Sequence, residues 1–145
     1  MKYTNEVSID LPIKRVIELF DSEENLFEWQ PELISFEHLS GNKGEVGAKS
    51  KLLYKMGKRE VEMTETITHK NLPEAFNLVY EAKGVWNEMN NSFIEVEPSK
   101  TKWVSHSEFR FAGFMKLIAF LMPGSFKKQS QLALDRFKLF AESKG

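Results

Sequence analysis

The sequence contains no cysteine among its 145 residues. This absence excludes disulfide scaffolds, thiolate nucleophiles and cysteine-ligated zinc sites. An excess of charge of one sign is also missing, because 20 basic residues stand against 21 acidic ones and leave a formal net charge of −1. Proteins that bind nucleic acid usually carry a basic excess that neutralises phosphates. We therefore expect no nucleic-acid partner.

Long apolar runs are missing as well. The longest, Leu117–Met122, is too short to span a bilayer, and Met1–Glu6 contains no apolar signal core. We therefore expect a cytoplasmic protein without stable membrane insertion.

Motifs for metals, phosphates and nucleophiles are also lacking. His38, His69 and His106 are far apart and match no metal-ligand spacing, so we expect neither a metal nor a cofactor. Gly41–Gly47 has the spacing Gly-x-x-Gly-x-x-Gly between two predicted strands, which is not a phosphate-binding pattern. Ser105 and Ser107 have no histidine in phase with them, which argues against a serine hydrolase.

Aromatic residues are abundant, with 12 Phe, 3 Trp and 3 Tyr making up 12% of the chain. Six methionines add flexible apolar side chains. Such a composition suits a pocket for apolar ligands as well as a filled core.

Apolar periodicity predicts the order of the elements. A strand at Tyr3–Asp10 is followed by two short helices, for which Asp10 and Ser22 are the expected caps. Residues 33–111 alternate with a period of two and predict six further strands that form a meander. Beyond Ala112 the period becomes about 3.6, and Ser125 is the expected cap of a long final helix. We expect one domain over residues 1–145, of the α+β class, with a curved seven-stranded antiparallel sheet around the C-terminal helix.

Several segments resemble the bacterial polyketide cyclase/dehydrase-like (SRPBCC) family of the START-like superfamily. These segments are Leu26–Pro31, Gly41–Ala48, Met63–Ile67, Phe109–Gly113 and Arg136–Lys138. The resemblance covers essentially the whole chain and implies the helix-grip fold. Proteins of this shape include lipid carriers, hormone receptors, polyketide cyclases and co-chaperones, so the fold alone does not give the function.

The resemblance also implies a cavity between the concave sheet face and the last helix, with Gly41–Gly47 as a hairpin at its rim. The alternation of the strands places a mostly apolar set of side chains on that face. The residues expected to contact a ligand are Trp29, Leu52, Tyr54, Met56, Met63, Glu65, Leu78, Tyr80, Asn87, Trp103, Ser105, Ser107, Phe109, Leu117 and Phe137.

Glu65 is the candidate for chemistry, because it is in step with the apolar residues Val61, Met63 and Ile67. Burial among apolar groups raises the pKa of a carboxyl group towards the range useful for proton transfer. Glu65 is therefore the candidate catalytic acid or base, and the alternative is a structural glutamate paired with an arginine or tyrosine.

Three functions remain open from the sequence. The first is binding of a small hydrophobic ligand, such as a lipid, an aromatic or a polyketide-like molecule. The second is an enzyme of the cyclase or dehydratase type, and the third is a protein-interaction module similar to the heat-shock ATPase activators. Whether the protein is an enzyme is left undecided.

The segment Phe114–Met122 is apolar on more than one face, which is unusual for a surface helix. A lid, a dimer contact and a membrane-touching patch are all compatible with this pattern. We expect its apolar faces to pack on the mouth of the sheet, with a homodimer as the alternative.

Overall fold

Seven antiparallel strands form one sheet in the computed structural model, which describes residues 1–145. The strands are β1 (Lys2–Ile9), β2 (Leu33–Ser40), β3 (Lys49–Met56), β4 (Arg59–Asn71), β5 (Ala75–Ala82), β6 (Val85–Glu97) and β7 (Lys100–Phe111). The helices are α1 (Ile13–Phe20), α2 (Glu23–Trp29), α3 (Phe114–Leu121) and α4 (Pro123–Lys144). The order of the strands in the sheet is β1-β7-β6-β5-β4-β3-β2, so β2 to β7 form a meander. The predicted fold class is confirmed.

The two short helices begin differently from each other. Ser22 caps α2 as predicted, and its Oγ accepts a hydrogen bond from the Asn25 N–H at 3.3 Å. Asp10 was expected to cap α1, but that helix begins after Pro12 and has no side-chain cap. The N–H of Asp10 instead donates to Glu142 Oε2 at 2.8 Å, which ties the end of β1 to α4.

The final helix also begins earlier than predicted. Pro123 starts α4 directly after Met122, and Ser125 already lies inside its first turn. The Ser125 hydroxyl donates to the carbonyl of Met122 at 2.9 Å, so it does not cap the helix. Proline is well suited to the first helical position because its missing N–H would have no partner there.

A cluster of aromatic rings joins the helices to the sheet. Phe20 of α1 lies at its centre, with ring centroids 4.8 Å from Phe93, 5.2 Å from Trp103, 5.6 Å from Phe137 and 6.4 Å from Trp29. Most of these pairs are edge-to-face, an arrangement that aromatic rings prefer. The cluster fills the space between α4 and the strands β6 and β7.

Most of the core lies in this part of the molecule, and a smaller buried cluster of Ala48, Ile67 and Leu78 lies towards β4 and β5. Helix α4 packs mainly on β1 and α2, whereas β3, β4 and β5 have no helix packed closely on their inner faces. Only 23 of the 145 residues are buried, because many inner-face side chains of β3 to β5 are only partly covered. None of the four helices has the length and apolar character that crossing a bilayer requires.

The position of α4 depends on the aromatic cluster, so we expect Phe137→Ala to destabilise the protein. Phe137 is completely buried, and truncating such a side chain typically costs about 3–5 kcal/mol. Leu139→Ala on the same helix is the matched control, because that side chain is 70% exposed and its loss should change stability by less than about 0.5 kcal/mol. Urea unfolding of both variants measures the difference, and equal losses would contradict this account of the core.

Candidate functional site

A cavity of about 510 Å³ lies between the inner face of the sheet and the helices α2 and α4. Of the 33 residues that line it, 19 are hydrophobic. Its volume is within the usual range for small-molecule pockets, and a mostly apolar wall with a few polar groups is typical of them.

Most of the side chains selected from the sequence line this cavity. Trp29 contributes from α2, and the strands supply the others: Tyr54, Met56, Met63, Glu65, Leu78, Tyr80, Asn87, Trp103 and Phe109. Their common position follows from the pleat, since every second residue of a strand points to the same face.

Five of the selected residues do not line the cavity, so the expectation of their position was wrong. Leu52 and Phe137 are buried by their neighbours, Phe137 within the aromatic cluster. Ser105 and Ser107 are buried on β7, opposite Asn5 and Tyr3 of β1. Leu117 of α3 is half exposed and faces away from the cavity.

Helix α4 explains why the two serines are covered. The hydroxyl of Tyr3 is 2.7 Å from Ser130 Oγ, and Asn5 Nδ2 donates to Gln131 Oε1 at 2.9 Å. These bonds hold α4 over β1 and the adjoining part of β7. The cavity therefore lies on the other side of α4, towards β3, β4 and β5.

Glu65 lies directly opposite Tyr80 in the register of β4 and β5, and both line the cavity. The strand β4 has a bulge between Ile67 and His69, which comes after Glu65 and so leaves Glu65 in phase with Met63. Burial raises the pKa of Glu65 to about 7, while the hydroxyl of Tyr80 partly offsets this increase. No arginine or lysine forms an ion pair with Glu65.

Two tyrosine hydroxyls flank this carboxyl group. Burial and the negative charge of Glu65 raise the pKa of both Tyr54 and Tyr80 well above its ordinary value, so both hydroxyls keep their protons at neutral pH. Tyr54 donates to Gln30 Oε1 at 2.6 Å. Asn87 donates through Nδ2 to the carbonyl of Glu108 at 3.1 Å. The carboxyl group of Glu65 thus lies near two tyrosine hydroxyls that keep their protons, and no basic side chain pairs with it.

A second polar feature was missed by the sequence analysis. Arg136 of α4 donates to both carboxylate oxygens of Glu32, at 2.7 and 3.0 Å, and both residues line the cavity. Arg136 lies on α4, and the sequence analysis names it only within the segment Arg136–Lys138, with no role in a site. No local signal relates it to Glu32, because the two residues are 104 positions apart.

Other missed lining residues did have a signal in the sequence. Ser50 is four residues from Tyr54 on β3, and Ile67 is two residues from Glu65 on β4, so each shares a strand face with a selected residue. Both Ser50 and Ile67 line the cavity. Parity alone therefore could have added them to the predicted set.

The glycine-rich loop lies at the edge of the cavity, where Lys43 and Gly44 contribute to its wall. Lys43 Nζ forms an ion pair with Glu23 Oε2 of α2 at 2.8 Å, which joins the loop to that helix. Gly41 has a φ of 78°, and a Cβ there would lie 2.9 Å from backbone atoms of Gly47 and Ala48. The turn therefore needs glycine at this position for both conformation and space.

The three histidines are not brought together by the fold. His38 contacts the carbonyl of Gly41, and His106 Nδ1 is 2.8 Å from Thr4 Oγ1 on the sheet edge. No group of three or more His, Asp or Glu side chains in the structure could hold a metal ion.

Neither a protein-family model nor a curated protein sequence matches this chain. Solved structures do match it over nearly its whole length. A conserved protein from Geobacillus kaustophilus is 14% identical with a TM-score of 0.82, and the alignment covers 99% of this chain and 96% of that one. The Zhui aromatase/cyclase from a Streptomyces species is 14% identical with a TM-score of 0.80, covering 98% of this chain and 93% of the other.

Ara h 8.0201 is a third match, at 13% identity and a TM-score of 0.76, covering 99% of this chain and 98% of that chain. Sequence identities this low carry information about shape and none about activity. The comparisons therefore show that this chain has the helix-grip fold, as its sequence resemblance implied.

The raised pKa of Glu65 predicts a specific pH dependence of stability. A carboxyl group with a pKa of about 7 when folded and about 4.5 when unfolded stays protonated up to a higher pH in the native state than in the unfolded state. The free energy of unfolding should therefore fall by about 3 kcal/mol as the pH rises from about 4.5 to about 7.

Glu65→Gln should remove this contribution, so the variant should be similar to the wild type at low pH and more stable than it at pH above about 7. Denaturant unfolding across this range measures the effect. Glu60→Gln, an exposed position on the same strand, is the control and should leave the slope unchanged. A wild-type slope that persists in Glu65→Gln would contradict the assigned pKa.

Proposed function

We propose that this protein binds a small, largely apolar molecule with one neutral polar end in the cavity between its sheet and α4. The observation that carries the proposal is the cavity itself, about 510 Å³ with 19 hydrophobic residues among the 33 that line it. The match to a structure named as an aromatase/cyclase supports the proposal.

The apolar part of the ligand is expected to lie against β4 and β5. Ile67, Leu78 and Ala48 form a small buried cluster there, and Phe76 and Tyr80 pack against it. Transfer of apolar surface from water to such a wall contributes roughly 25 cal/mol per Å² of area buried. This part of the cavity supplies affinity without much discrimination between similar apolar groups.

The polar end of the ligand is expected to lie near Glu65 and Tyr80. Protonated Glu65 donates a hydrogen bond, ionised Glu65 accepts one, and the hydroxyl of Tyr80 can do either. Glu32 already neutralises Arg136, so no free cation lines this part of the cavity. A hydroxyl or carbonyl group therefore suits this region better than a carboxylate, which ionised Glu65 would repel.

An enzyme of the cyclase type is the second candidate, and the pKa of Glu65 is the observation that favours it. A carboxyl group with a pKa of about 7 is present in both protonation states near neutral pH, which suits a general acid or base. Ionised Glu65 would take a proton from the carbon next to a ligand carbonyl. The hydroxyl of Tyr80 would stabilise the enolate oxygen that results.

A protein-interaction module, the third possibility from the sequence, has no need of this cavity.

Filling the cavity should abolish binding of an apolar probe. Ala133 of α4 lines the cavity, and Ala133→Trp should lower the affinity for the neutral fluorophore phenylnaphthylamine by about tenfold or more, since the added ring occupies the ligand's volume. Leu132→Trp adds a similar ring at the neighbouring exposed position and should not change the affinity. Fluorescence titration measures both, and equal affinities would place the probe elsewhere.

The polar end can be tested with the natural ligand. Native mass spectrometry of the purified protein should show a retained small molecule, and denaturation should release an apolar compound that carries a hydroxyl or carbonyl group. Glu65→Gln and Tyr80→Phe should each weaken its rebinding by roughly tenfold, the usual effect of losing one hydrogen bond in a buried site.

The same experiment separates binding from catalysis. Glu60→Gln is the control for Glu65→Gln and should bind as the wild type does. Conversion of an added β-keto thioester by the wild type, lost in Glu65→Gln, would favour the enzyme. A protein that neither retains a molecule nor binds phenylnaphthylamine would overturn the ligand-binding proposal.

A further inference from the structure

Helix α3 presents an apolar face to solvent. Phe114, Leu117, Phe120 and Leu121 are 72%, 52%, 81% and 65% exposed. At 100° per residue these four side chains occupy about one third of the helix circumference. Met122 extends the surface at the C-terminal end of the helix and is also exposed. We call these five residues the α3 patch.

The opposite face of α3 already anchors the helix to the sheet. Ala119 is buried, and Met115 and Ile118 are partly buried. A Cβ on Gly84, in the turn between β5 and β6, would lie 2.8 Å from the carbonyl of Ala112 and 3.2 Å from Met115 Cγ. The expectation that the apolar faces of this segment pack on the sheet is therefore right for one face and wrong for the other.

Folding does not account for the α3 patch. Isolated apolar residues are common on protein surfaces, but contiguous patches of large side chains on one face usually mark an interaction site. Amphipathic helices that lie in a membrane surface have this combination of large apolar side chains and flanking basic residues.

The charges around the α3 patch are basic and unpaired. The run Ala112–Ser130 contains Lys116, Lys127 and Lys128 and no acidic residue. None of these lysines forms an ion pair, and neither does Lys83 in the turn that contacts α3. Some lysines elsewhere, such as Lys51 and Lys70, have acidic partners and others, such as Lys55 and Lys58, have none, so the feature that distinguishes the run Ala112–Ser130 is its lack of any acidic residue.

Acidic residues near α3 face in another direction. Glu81 and Glu108 lie on β5 and β7, on the outer face of the sheet. Glu108 is paired with Arg110 at 3.1 Å, and that arginine stacks 4.5 Å above the ring of Trp86. Glu108 thus has a basic partner on the outer face of the sheet, and no ion pair joins Glu81 or Glu108 to the lysines around the α3 patch.

From this arrangement we propose that the α3 patch docks on the surface of a bilayer that contains anionic lipids. The apolar side chains enter the boundary between headgroups and acyl chains, and the lysines contact anionic headgroups. A symmetric dimer through the same patch fits the charges less well, because it brings Lys116, Lys127 and Lys128 of one copy towards those of the other.

Docking in this way places one end of the cavity near the membrane. Helix α3 leads directly into α4, whose residues Gln129, Ser130 and Ala133 line the cavity. Ala82 and Val85, on either side of the turn that contacts α3, line it as well. Apolar molecules dissolved in a bilayer would then be close to the binding site. The docking proposal itself stands on the α3 patch and its charges, apart from any ligand.

Vesicle flotation tests the proposal on the full chain. The protein is mixed with phosphatidylcholine vesicles that contain about 30 mol% phosphatidylglycerol and, separately, with vesicles of phosphatidylcholine alone. We expect the protein to float with the anionic vesicles, with affinity about tenfold lower for the neutral ones. Salt of about 0.5 M should reduce binding to the anionic vesicles, because it screens the lysines.

Two variants and a matched control assign the binding to the α3 patch. The double variant Leu117→Gln/Phe120→Gln should lose binding by about tenfold or more, since it removes the apolar insertion. Lys127→Glu/Lys128→Glu should lose the preference for anionic vesicles. Leu139→Gln removes an apolar side chain of α4 that is 70% exposed and should bind as the wild type does.

Measurements in solution separate folding, dimerisation and the cavity from docking. Circular dichroism and phenylnaphthylamine affinity should be unchanged in both double variants, because their side chains lie outside the core and the cavity wall. The proposal is overturned if the wild type does not float, or if Leu117→Gln/Phe120→Gln floats equally well. It is also overturned if light scattering shows a wild-type dimer that this variant dissociates. Failure of the fluorophore to bind would contradict the cavity proposal only.

Discussion

The aromatic cluster around Phe20 is the contact on which the rest of the structure depends. It joins α1, α2, α4 and the strands β6 and β7, with the ring centroid of Phe20 4.8 to 6.4 Å from Phe93, Trp103, Phe137 and Trp29. A long helix held firmly at one end of a sheet covers only part of it. The inner faces of β3, β4 and β5 are therefore left partly uncovered, and the cavity lies there. The same packing that stabilises the fold thus determines where a ligand can bind.

Glu65 shows how the cavity retains a polar group at a cost to stability. Burial favours the neutral carboxyl group and raises its pKa to about 7, and no basic side chain compensates the charge when the proton is lost. An apolar residue at this position would fit the wall and cost less. A buried carboxyl group opposite a protonated tyrosine instead gives the cavity one point at which a ligand can be oriented or a proton transferred. Arg136 is not available to orient a ligand in this way, because it already donates hydrogen bonds to both carboxylate oxygens of Glu32.

Particular residues show how far prediction from the sequence succeeded. The alternation in β4 predicted that Glu65 shares a face with Met63, and it does so because the bulge in that strand comes two residues later. Ser22 was predicted as a cap correctly, since capping depends on neighbours within one turn. Asp10 does not cap α1, and its N–H bonds instead to the distant Glu142. Ser125 does not cap α4 because that helix already begins at Pro123, which is a local feature. Leu117 was assigned to the cavity, yet periodicity cannot tell which apolar face of α3 meets the sheet.

The sequence by itself determined the order of the strands and helices, the inner and outer faces of the strands and the apolar character of α3, because these depend on residues close together in the chain. Only the tertiary structure decided that Ser105, Ser107 and Phe137 are covered while Glu65 faces open space, and that Arg136 meets Glu32. It also decided that one apolar face of α3 is exposed and that Lys83, Lys116, Lys127 and Lys128 form no ion pair. These features depend on where α3 and α4 lie against the sheet. The placement of α4 depends on contacts between residues more than a hundred positions apart, and that of α3 on contacts with β7 and the turn at Gly84, and local periodicity contains no signal for either.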